Sequence, residues 1–542
     1  MLHSRLRVCV ISALTLALLA VPIASAFALD VPDPISPAPG HQGSPRTDGQ
    51  TVVWGDTRED IPFVADVYGA ELPDGPEFPI ATGPNHQSTP DVDGRWVVWS
   101  DEGAIQALNL DADQQFEVSD GPEDVLPAVS GDYVVWLSYD STDSVSVMTR
   151  NLETMADAVE VGVLDRAVAG RPAIHGDRVV WGEHDEAVTE FRWRLFTARI
   201  DGTELQTIDE EVAAESNLFA FDFHGDLVVY SADGTLIAHD LSTDKSRVLA
   251  EHTTMITTDG RYVFWSDTRS LQEDQNRLDV KGYDLQSDSR FAIIQNKGYN
   301  ALGNAGGDYL VWSQGPDLWS SDVRASRIVD LLPTAPRPDP MATSPDWLYF
   351  DATGHYLAFG FKNFWEQSGG LPVFGYPYTI EYDELNQDLG EFRTAQYTER
   401  QRFEYHPAYA GTPYETLLGR LGVQDAARRG LLDTEPFQPL SEGTGASDCE
   451  FFDVTGHEVC GGFLDYWNAH GLNFGDPGVS FRESLALFGY PISEEFIDPE
   501  TGLTMQYFER ARFEYHPDNP EPHQILLGRL GADELQERGW LD

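Results

Sequence analysis

The chain has 542 residues and a formal net charge of -55, from 35 Lys and Arg against 90 Asp and Glu. This acidity excludes a simple nucleic-acid binder, which needs a basic face for the phosphates, and it disfavours binding to anionic membrane surfaces. Hydrophobic residues make up 41% and aromatic residues 11%, which is enough for packed cores and argues against global disorder. The acidic, lysine-poor composition suits high salt, and a biased genomic composition explains it equally well.

The N-terminus has the layout of an export signal. Arg5 and Arg7 precede an apolar run from Val8 to Ile23, and the small residues Ala24 and Ala26 follow. This pattern predicts a signal peptide within residues 1–28. The apolar run is short for a bilayer span, which disfavours an uncleaved anchor. We therefore expect a secreted, cell-surface or periplasmic protein.

Three cysteines occur in the chain, and Cys9 lies inside the predicted signal peptide. The remaining pair is Cys449 and Cys460. An even pair in an exported protein predicts a disulfide that closes a short loop. Two free thiols are the alternative.

A short segment recurs seven times in the first two-thirds of the chain. Each copy has a Gly/Asp turn, then a β-branched run that ends in an aromatic residue; the copies lie at 48–54, 93–99, 131–136, 176–181, 225–230, 259–265 and 307–312. The turn residues and the β-branched run predict a strand, and weaker strand signals surround it. The aromatic positions recur every 43 residues on average. Four short strands in such a period are typical of a β-propeller blade.

The repeat core reads Pro-Ala-Ile-His-Gly-Asp-Arg-Val-Val-Trp at 172–181. Over residues 40–332 the chain resembles TolB-like propellers, whose blades carry a Pro-x-x-Gly-Asp-x-Val-x-Trp type core. The resemblance implies a propeller that binds proteins or glycans on one end of the disc. It implies no specific chemistry, because such propellers serve as scaffolds, peptidase lids and lyases. We predict seven blades, with six blades and a stray hairpin as the alternative. Complete first and last copies predict closure without strand exchange.

The aromatic residues and the acids beside them each allow two interpretations. A regular place at the end of a strand favours packing between blades for the tryptophans, against stacking on a ligand. The acids that follow are expected to cap turns, or alternatively to ring one face and hold Ca²⁺: Asp56, Asp101, Glu183 and Asp267. No calcium-loop pattern appears, so we expect no cofactor and no resident metal, and calcium remains the alternative.

A second kind of repeat follows a Pro-rich segment at 333–346. Four motifs occur twice, at 350–355 and 452–457, 374–377 and 488–491, 396–407 and 506–517, and 417–422 and 526–531. The chain therefore carries two copies of one module. We call residues 347–432 the first copy and residues 448–542 the second copy, joined by a predicted linker at 433–447.

Each copy is predicted to be a small α+β unit. An apolar stripe predicts an opening helix in each, with Cys460 lying on the second; the stripes are Leu357, Phe361, Phe364 and Trp365, and Val459, Phe463, Tyr466 and Trp467. A Gly-Tyr-Pro turn leads to a hairpin, and a short helix closes each copy from Gln424 or Asp533. The whole chain is thus predicted to be mainly β, a propeller followed by two α+β modules.

The segment from Leu371 to Glu381 has the pattern Leu-x-x-Phe-Gly-Tyr-Pro-x-x-x-Glu. It resembles LGFP-type repeats, which accompany secreted cell-wall enzymes and surface proteins. The longer duplicated pattern resembles an uncharacterised accessory module of secreted bacterial proteins. These resemblances imply attachment to the cell envelope or to a polymer, and they do not imply catalysis.

Strand alternation places polar residues of each copy on one face and aromatic residues on the other. The binding candidates are Arg402, Glu404, His406, Arg512, Glu514, His516, Trp365 and Trp467. A charge ladder over a core is the main interpretation, and a sugar-binding ledge that includes Tyr405 is the second. A metal site completed by His355 and acid–base catalysis by the glutamate are further alternatives, each lacking partner residues.

These patterns predict a secreted, non-catalytic binding or scaffold protein of the cell envelope or exterior. Its expected partner is an extracellular protein or a polysaccharide of the cell wall, and we expect a monomer. The duplication favours module structure or bivalent binding to a polymer. The alternative is an extracellular hydrolase or lyase with its site in the propeller funnel, served by histidines at blade edges: His86, His175, His184 and His224. A third hypothesis is an envelope-assembly or surface-layer component whose partner is another protein.

Overall fold

The computed structural model describes residues 32–541 apart from 59–63, 120, 122, 140–143, 166, 186–191, 214–219, 275, 276, 296, 297, 318 and 338–343. The predicted signal peptide and Cys9 lie outside the described residues. The described chain is mainly β, as predicted, with small helices concentrated in its C-terminal third. No helix among the described residues is long and apolar enough to cross a bilayer.

Between Gln42 and Arg327 the described chain forms antiparallel sheets of consecutive strands. The first four sheets comprise β1 (Gln42–Thr47), β2 (Thr51–Asp56), β3 (Asp66–Glu71) and β4 (Glu77–Ala81); β5 (Gln87–Asp93), β6 (Trp96–Asp101), β7 (Ala104–Asn109) and β8 (Gln114–Glu117); β9 (Asp124–Ser130), β10 (Tyr133–Tyr139), β11 (Ser144–Asn151) and β12 (Val159–Asp165); and β13 (Ala167–Ala169), β14 (Ala173–His175), β15 (Arg178–Asp185), β16 (Arg192–Arg199) and β17 (Gln206–Ala213).

The next three sheets continue the same order. They comprise β18 (Phe221–His224), β19 (Leu227–Ala232), β20 (Thr235–Asp240) and β21 (Lys245–Glu251); β22 (Thr253–Thr258), β23 (Tyr262–Asp267), helix α1 (Arg269–Glu273), β24 (Asp279–Asp284) and β25 (Ser289–Ile294); and β26 (Tyr299–Gly306), β27 (Tyr309–Asp317) and β28 (Ser320–Arg327). These sheets are arranged as the blades of a propeller.

The ring is closed by its innermost strands. Each of β1, β5, β9, β14, β18, β22 and β26 contacts the next, and β26 contacts β1. The predicted Val-Val-aromatic strand is the second strand of each sheet, so the Pro-containing segment before it lies nearest the axis. The segment before β1 runs along the last sheet, where Ile35 N donates to Val323 O at 2.9 Å.

The recurring aromatic residues pack between blades, which confirms the packing interpretation. Each lies in a core cluster with residues of the preceding sheet, and all are buried: Trp54, Trp99, Trp136, Trp181, Tyr230, Trp265 and Trp312. Trp54 of the first sheet packs against Val311 and Val323 of the last sheet. The ring is therefore closed both by contact between the innermost strands and by burial of side chains between the first and last sheets.

The two C-terminal copies have the same order of elements. The first copy comprises β29 (Trp347–Phe350), β30 (His355–Ala358), α2 (Phe359–Gln367), α3 (Gly370–Phe374), β31 (Tyr382–Asn386), β32 (Glu391–Tyr397), β33 (Arg402–Tyr405), β34 (Thr416–Leu418) and α4 (Leu421–Arg428). The second comprises β35 (Cys449–Phe452), β36 (His457–Cys460), α5 (Gly461–Ala469), α6 (Phe481–Phe488), β37 (Phe496–Ile497), β38 (Thr504–Tyr507), β39 (Arg512–Tyr515), β40 (Ile525–Leu527) and α7 (Leu530–Glu537).

Each copy opens with a hairpin, whereas the apolar stripe predicted an opening helix. Leu357 and Val459 lie in β30 and β36, and Cys460 ends β36 instead of lying on α5. All four residues of β30 are buried, so both faces of this strand are apolar. Because α2 follows the strand directly, the apolar residues of strand and helix together have the spacing of a single helical stripe. The closing helices begin three residues before the predicted starts.

The predicted disulfide between Cys449 and Cys460 is present in the structure. The two residues are direct partners across the β35–β36 hairpin. Replacing both by alanine is expected to lower the free energy of unfolding by about 3 kcal/mol, because the unfolded loop regains its freedom. The variant should still fold, since the hairpin of the first copy forms with Ala358 at the position of Cys460.

Urea unfolding of the oxidised protein with and without a reductant measures this loss, and the double variant is the matched control. A reductant should shift the midpoint of the wild type and leave that of the double variant unchanged. Equal midpoints for the wild type in both conditions would contradict the prediction.

The copies are built onto the propeller and onto each other. Strand β25 pairs with β31 through Arg290 and Asp383, so the sixth sheet of the ring continues into the first copy as one eight-stranded sheet. The start of the predicted linker at 333–346 is packed, since Ile380 N donates to Pro333 O at 2.9 Å. Aromatic residues of both copies share one core, including Phe374 and Phe488. The segment at 433–447 therefore joins two packed units.

Candidate functional site

The polar strand face of the first copy is enclosed within the protein. Arg402 is 4% exposed and Glu404 is 4% exposed. Arg402 Nε donates to Glu404 Oε1 at 2.8 Å, and its Nη1 donates to Glu384 Oε1 at 2.9 Å. His406 lies at the edge of this group, with Nε2 at 3.4 Å from Glu404 Oε2. The alternation behind this face is confirmed, because Phe403 points into the core.

The closing helix of the second copy covers this face. Arg538, just after α7, donates from Nη1 to Glu384 Oε2 at 3.0 Å and from Nη2 to Tyr397 Oη at 2.8 Å. Glu384 therefore lies between two guanidinium groups, those of Arg402 and Arg538. Burial by itself would raise the pKa of Glu384, but the two arginines hold it at about 2.

The second copy repeats the arrangement with the partners exchanged. Arg429, just after α4 of the first copy, donates to Asp498 Oδ1 at 2.6 Å and to Tyr507 Oη at 2.7 Å. Asp498 occupies the position of Glu384, and Tyr507 that of Tyr397. Arg512 Nη1 also donates to Asp425 Oδ2 of α4, at 3.0 Å. Each closing helix thus completes the strand face of the other copy.

The glycines of the duplicated Leu-Gly-Arg-Leu-Gly motif make this crossing possible. A Cβ on Gly422 would lie 1.9 Å from Phe508 O of the second copy. A Cβ on Gly531 would lie 2.0 Å from Thr398 O of the first copy. The start of each closing helix therefore touches the backbone of the other copy, which explains why this motif occurs in both.

The remaining binding candidates lie in different environments. Glu514 and Arg512 form a partly buried pair at 2.9 Å, and His516 Nε2 is 3.1 Å from Glu514 Oε2. Trp467 is buried in the shared core, and Trp365 donates from Nε1 to Gly375 O at 3.0 Å. The ligand-binding role of all these residues stays a prediction, and their contacts in the structure are internal.

The residues named as alternative metal ligands make contacts within the protein. His355 Nε2 is 3.1 Å from Thr334 O, and burial lowers the pKa of His355 to about 4, which keeps the ring neutral. In the described part of the chain, His355 does not lie within ligand distance of both Glu404 and His406. The acids after the aromatic anchors bond locally: Asp56 Oδ1 accepts from Arg58 N, and Asp267 Oδ1 accepts from Arg269 N.

The central channel of the propeller is the second candidate site. It has a volume of about 240 Å³ and is lined by the innermost strands. Arg171 crosses it, with Nη2 at 3.5 Å from Asp91 Oδ2 and at 3.3 Å from Pro90 O. Burial, and then the charge of Arg46, lowers the pKa of Arg171 to about 10, so it remains a cation at neutral pH.

Acidic residues along the channel bond to the neighbouring blade. Asp48 Oδ2 accepts from Gly94 N at 2.9 Å, and Asp93 Oδ2 accepts from Gly131 N at 2.6 Å. Deeper in the channel, Asp91 Oδ2 accepts from Val129 N at 2.9 Å, and Asp222 Oδ2 accepts from Thr258 N at 3.0 Å. In each case a carboxylate satisfies a backbone donor of the next sheet, so these acids hold the ring together.

Two of the histidines proposed for a funnel enzyme, His175 and His224, lie together beside the channel. The rings of His175 and His224 pack at a centroid distance of 4.0 Å, with their planes 42° apart. Burial, and then the charge of His224, lowers the pKa of His175. His86 Nδ1 accepts from Ala65 N at 3.0 Å. The side chain of His184 lies outside the described residues. The contact between His175 and His224 is the feature that the sequence does not single out among these histidines.

Comparison with known proteins yields likeness of fold at low identity. No protein-family model matches the sequence, and no curated protein matches it. The β-propeller domain of the Trilobed protease from Pyrococcus furiosus aligns at 12% identity over 54% of this chain and 99% of that chain, with a TM-score of 0.41. An oligogalacturonate lyase in complex with manganese aligns at 11% over 55% and 96%, with a TM-score of 0.40. A puromycin hydrolase aligns at 14% over 70% and 62%, with a TM-score of 0.41.

Proposed function

We propose that this protein is a secreted, non-catalytic binding or scaffold protein of the cell envelope or exterior. Its propeller, with seven TolB-like blades, and its two LGFP-like modules form one platform. The proposal rests on the observation that the charged groups in both candidate sites are bonded to other groups of the protein. Arg402, Glu384 and Arg538 hold the two copies together, and Arg171 of the fourth sheet pairs with Asp91 of the second sheet.

The shape of the platform supports recognition of a large partner. A continuous sheet through β25 and β31 and a shared core between the copies fix the propeller relative to the modules. Surfaces on a rigid body engage a polymer or a protein with little loss of conformational entropy on binding. The two copies therefore act as one rigid element, whereas the sequence suggested two sites on a linker.

The charge of the chain narrows the class of partner. A net charge of -55 repels polyanions at low and moderate salt. Uncharged polysaccharides and neutral or basic extracellular proteins meet no such barrier. We propose these two classes as partners. Among them we favour the uncharged polysaccharides of a cell wall, because the modules resemble LGFP-type repeats of secreted cell-wall proteins.

The test uses the full chain from residue 29, mixed with cell-wall preparations and insoluble polysaccharides. We expect retention on at least one material without release of soluble sugar or peptide products. The same protein is incubated with soluble glycan and peptide panels, and His175→Ala is the matched variant. Turnover that disappears in His175→Ala would overturn the proposal in favour of a hydrolase or lyase, and retention on no material would also count against it.

A further inference from the structure

A groove crosses the boundary between the two copies, away from the enclosed strand faces. One wall is α2, and another is the loop before β34, residues 411–415. The third wall comes from the second copy, where Asn473 N lies 3.4 Å from Ser368 Oγ. The groove has a volume of about 230 Å³ and is open to solvent. Pockets that enclose drug-sized ligands are larger, so this groove suits a part of an extended chain.

The third wall is an addition that the module does not require. In the second copy, residues 470–480 connect α5 to α6. In the first copy, residues 368 and 369 make the same connection between α2 and α3. The first copy folds without the longer segment. In the second copy the segment places Leu472 in the shared core, and Asn473 and Phe474 line the groove.

The added segment is held in one conformation. Glu483 Oε1 accepts from Phe474 N at 2.7 Å, and Glu483 Oε2 accepts from Ser480 N at 3.0 Å. Ser480 and Glu483 form a capping box at the start of α6. Arg482 lies over the ring of Phe474, at 5.1 Å from its centroid. The wall is therefore formed before any ligand arrives, which reduces the entropy lost on binding.

The opposite side of the groove offers amide groups. Asn363 and Gln367 are four residues apart on α2, and both line the groove. Both side chains are exposed, and within the described chain neither amide is engaged in a hydrogen bond. An amide donates and accepts at once, which matches the paired hydroxyls of a sugar ring.

Phe474 lines the groove together with these amides, and Tyr414 packs against Phe474. Tyr414 and Phe474 meet at a centroid distance of 5.1 Å, and Tyr414 is 39% exposed. Glu415 Oε2 accepts from Gly411 N at 2.7 Å, which holds the loop that carries Tyr414. An aromatic face next to neutral hydrogen-bonding groups is the chemistry that binds the apolar face and the hydroxyl edge of a sugar.

We propose that this groove binds a segment of an uncharged polysaccharide. This inference rests on the proposed function and locates its polysaccharide-binding site in the groove. Asn363 and Gln367 bond to sugar hydroxyls, and Tyr414 contacts the face of a sugar ring. The strongly acidic chain disfavours anionic glycans, and the amides supply no charge to attract them.

The experiment titrates the full chain from residue 29 with dextran, laminarin, mannan and arabinogalactan, and with alginate as the anionic comparison. The variants are Asn363→Ala/Gln367→Ala and Tyr414→Ala. Their matched controls are Asp465→Ala, at the place of Asn363 on α5, and Tyr409→Ala, an exposed tyrosine outside the groove. Loss of two hydrogen bonds is expected to weaken binding about tenfold or more, with the controls unchanged.

The outcomes separate this inference from the proposed function. Tight binding of one neutral glycan by the wild type and the controls, weakened in both groove variants at unchanged thermal stability, supports the inference. Equal binding by all variants overturns the groove and leaves the proposed function standing. Binding of alginate alone overturns the assignment to a neutral glycan. Binding of no polysaccharide overturns the inference, while the proposed function is then decided by retention on cell-wall preparations and by the enzyme assays.

Discussion

Glu384→Ala is expected to lower the free energy of unfolding by about 3–5 kcal/mol, a loss typical of removing one partner from a buried charge pair. The carboxylate is enclosed between Arg402 and Arg538, whose side chains are 5% and 8% exposed. Its removal leaves two like charges facing each other without water. Urea unfolding followed by tyrosine and tryptophan fluorescence measures the loss.

Two variants give this prediction its controls. Glu391→Ala removes an exposed partner of Arg393 in the adjacent strand of the same sheet, and it should cost less than about 1 kcal/mol. Asp498→Ala removes the equivalent carboxylate of the second copy, and it should resemble Glu384→Ala. A loss in Glu384→Ala no larger than in Glu391→Ala would show that the crossed helices do not depend on this carboxylate.

The pH dependence of stability follows from the same carboxylate. The pKa of Glu384 is about 2 in the folded protein, below its usual value of 4.5. A lowered pKa means that the contribution is fully present above about pH 4.5 and is lost as the pH falls toward 2. The unfolding midpoint of the wild type should therefore fall toward that of Glu384→Gln over this range. A constant difference in unfolding midpoint between the wild type and Glu384→Gln from pH 7 to pH 2 would contradict the lowered pKa of Glu384.

Trp540→Ala is expected to destabilise the protein by about 3–5 kcal/mol and to uncouple the modules from the propeller. The ring is buried, packs against Phe291 of β25 and Tyr382 of β31, and donates from Nε1 to Asp284 Oδ2 at 2.9 Å. Its carbonyl accepts from Thr334 Oγ1 at 2.7 Å. One residue near the C-terminus thus joins the propeller, the first copy and the chain between them.

Calorimetry is the suitable measurement, because uncoupling separates one unfolding transition into two. Trp540→Phe keeps most of the apolar contact and removes the hydrogen bond, so an intermediate loss of about 1–2 kcal/mol is expected. Limited proteolysis of Trp540→Ala should cut the chain between 333 and 346 faster than it cuts the wild type. A single transition at an unchanged midpoint would rule out this role for Trp540.

Much of the architecture follows from local pattern. The turn and the β-branched run of each repeat predicted the strand that carries the buried aromatic residue, because burial of a strand demands the same residue types wherever it occurs. Alternation along β33 and β39 predicted the polar and aromatic faces. The pair Cys449 and Cys460 predicted the disulfide, because the two form an even pair in a chain with an export signal.

The environment of the candidate residues did not follow from local pattern. The sequence predicted that Arg402 and Glu404 form an open ledge or a charge ladder within one copy. In the structure, Glu384 of the same copy and Arg538 of the other copy enclose them. The apolar stripe around Leu357 predicted a helix, because a buried strand followed directly by a helix has the same apolar residues at the same spacing as one longer helix. The groove beside Asn363 depends on residues 470–480 of the other copy, and no spacing within α2 indicates it.

The sequence by itself determined the repeats, the strands they form, the paired cysteines and the acidity from which we predict no nucleic-acid partner. These features depend on residue type and on neighbours along the chain. Only the tertiary structure decided that α4 and α7 each complete the strand face of the other copy, and that β31 extends the sheet of β25. It also decided that Asn363 and Phe474 line one groove. Those contacts join residues far apart in sequence, and their energies depend on burial and charge pairing that exist only once the chain has folded.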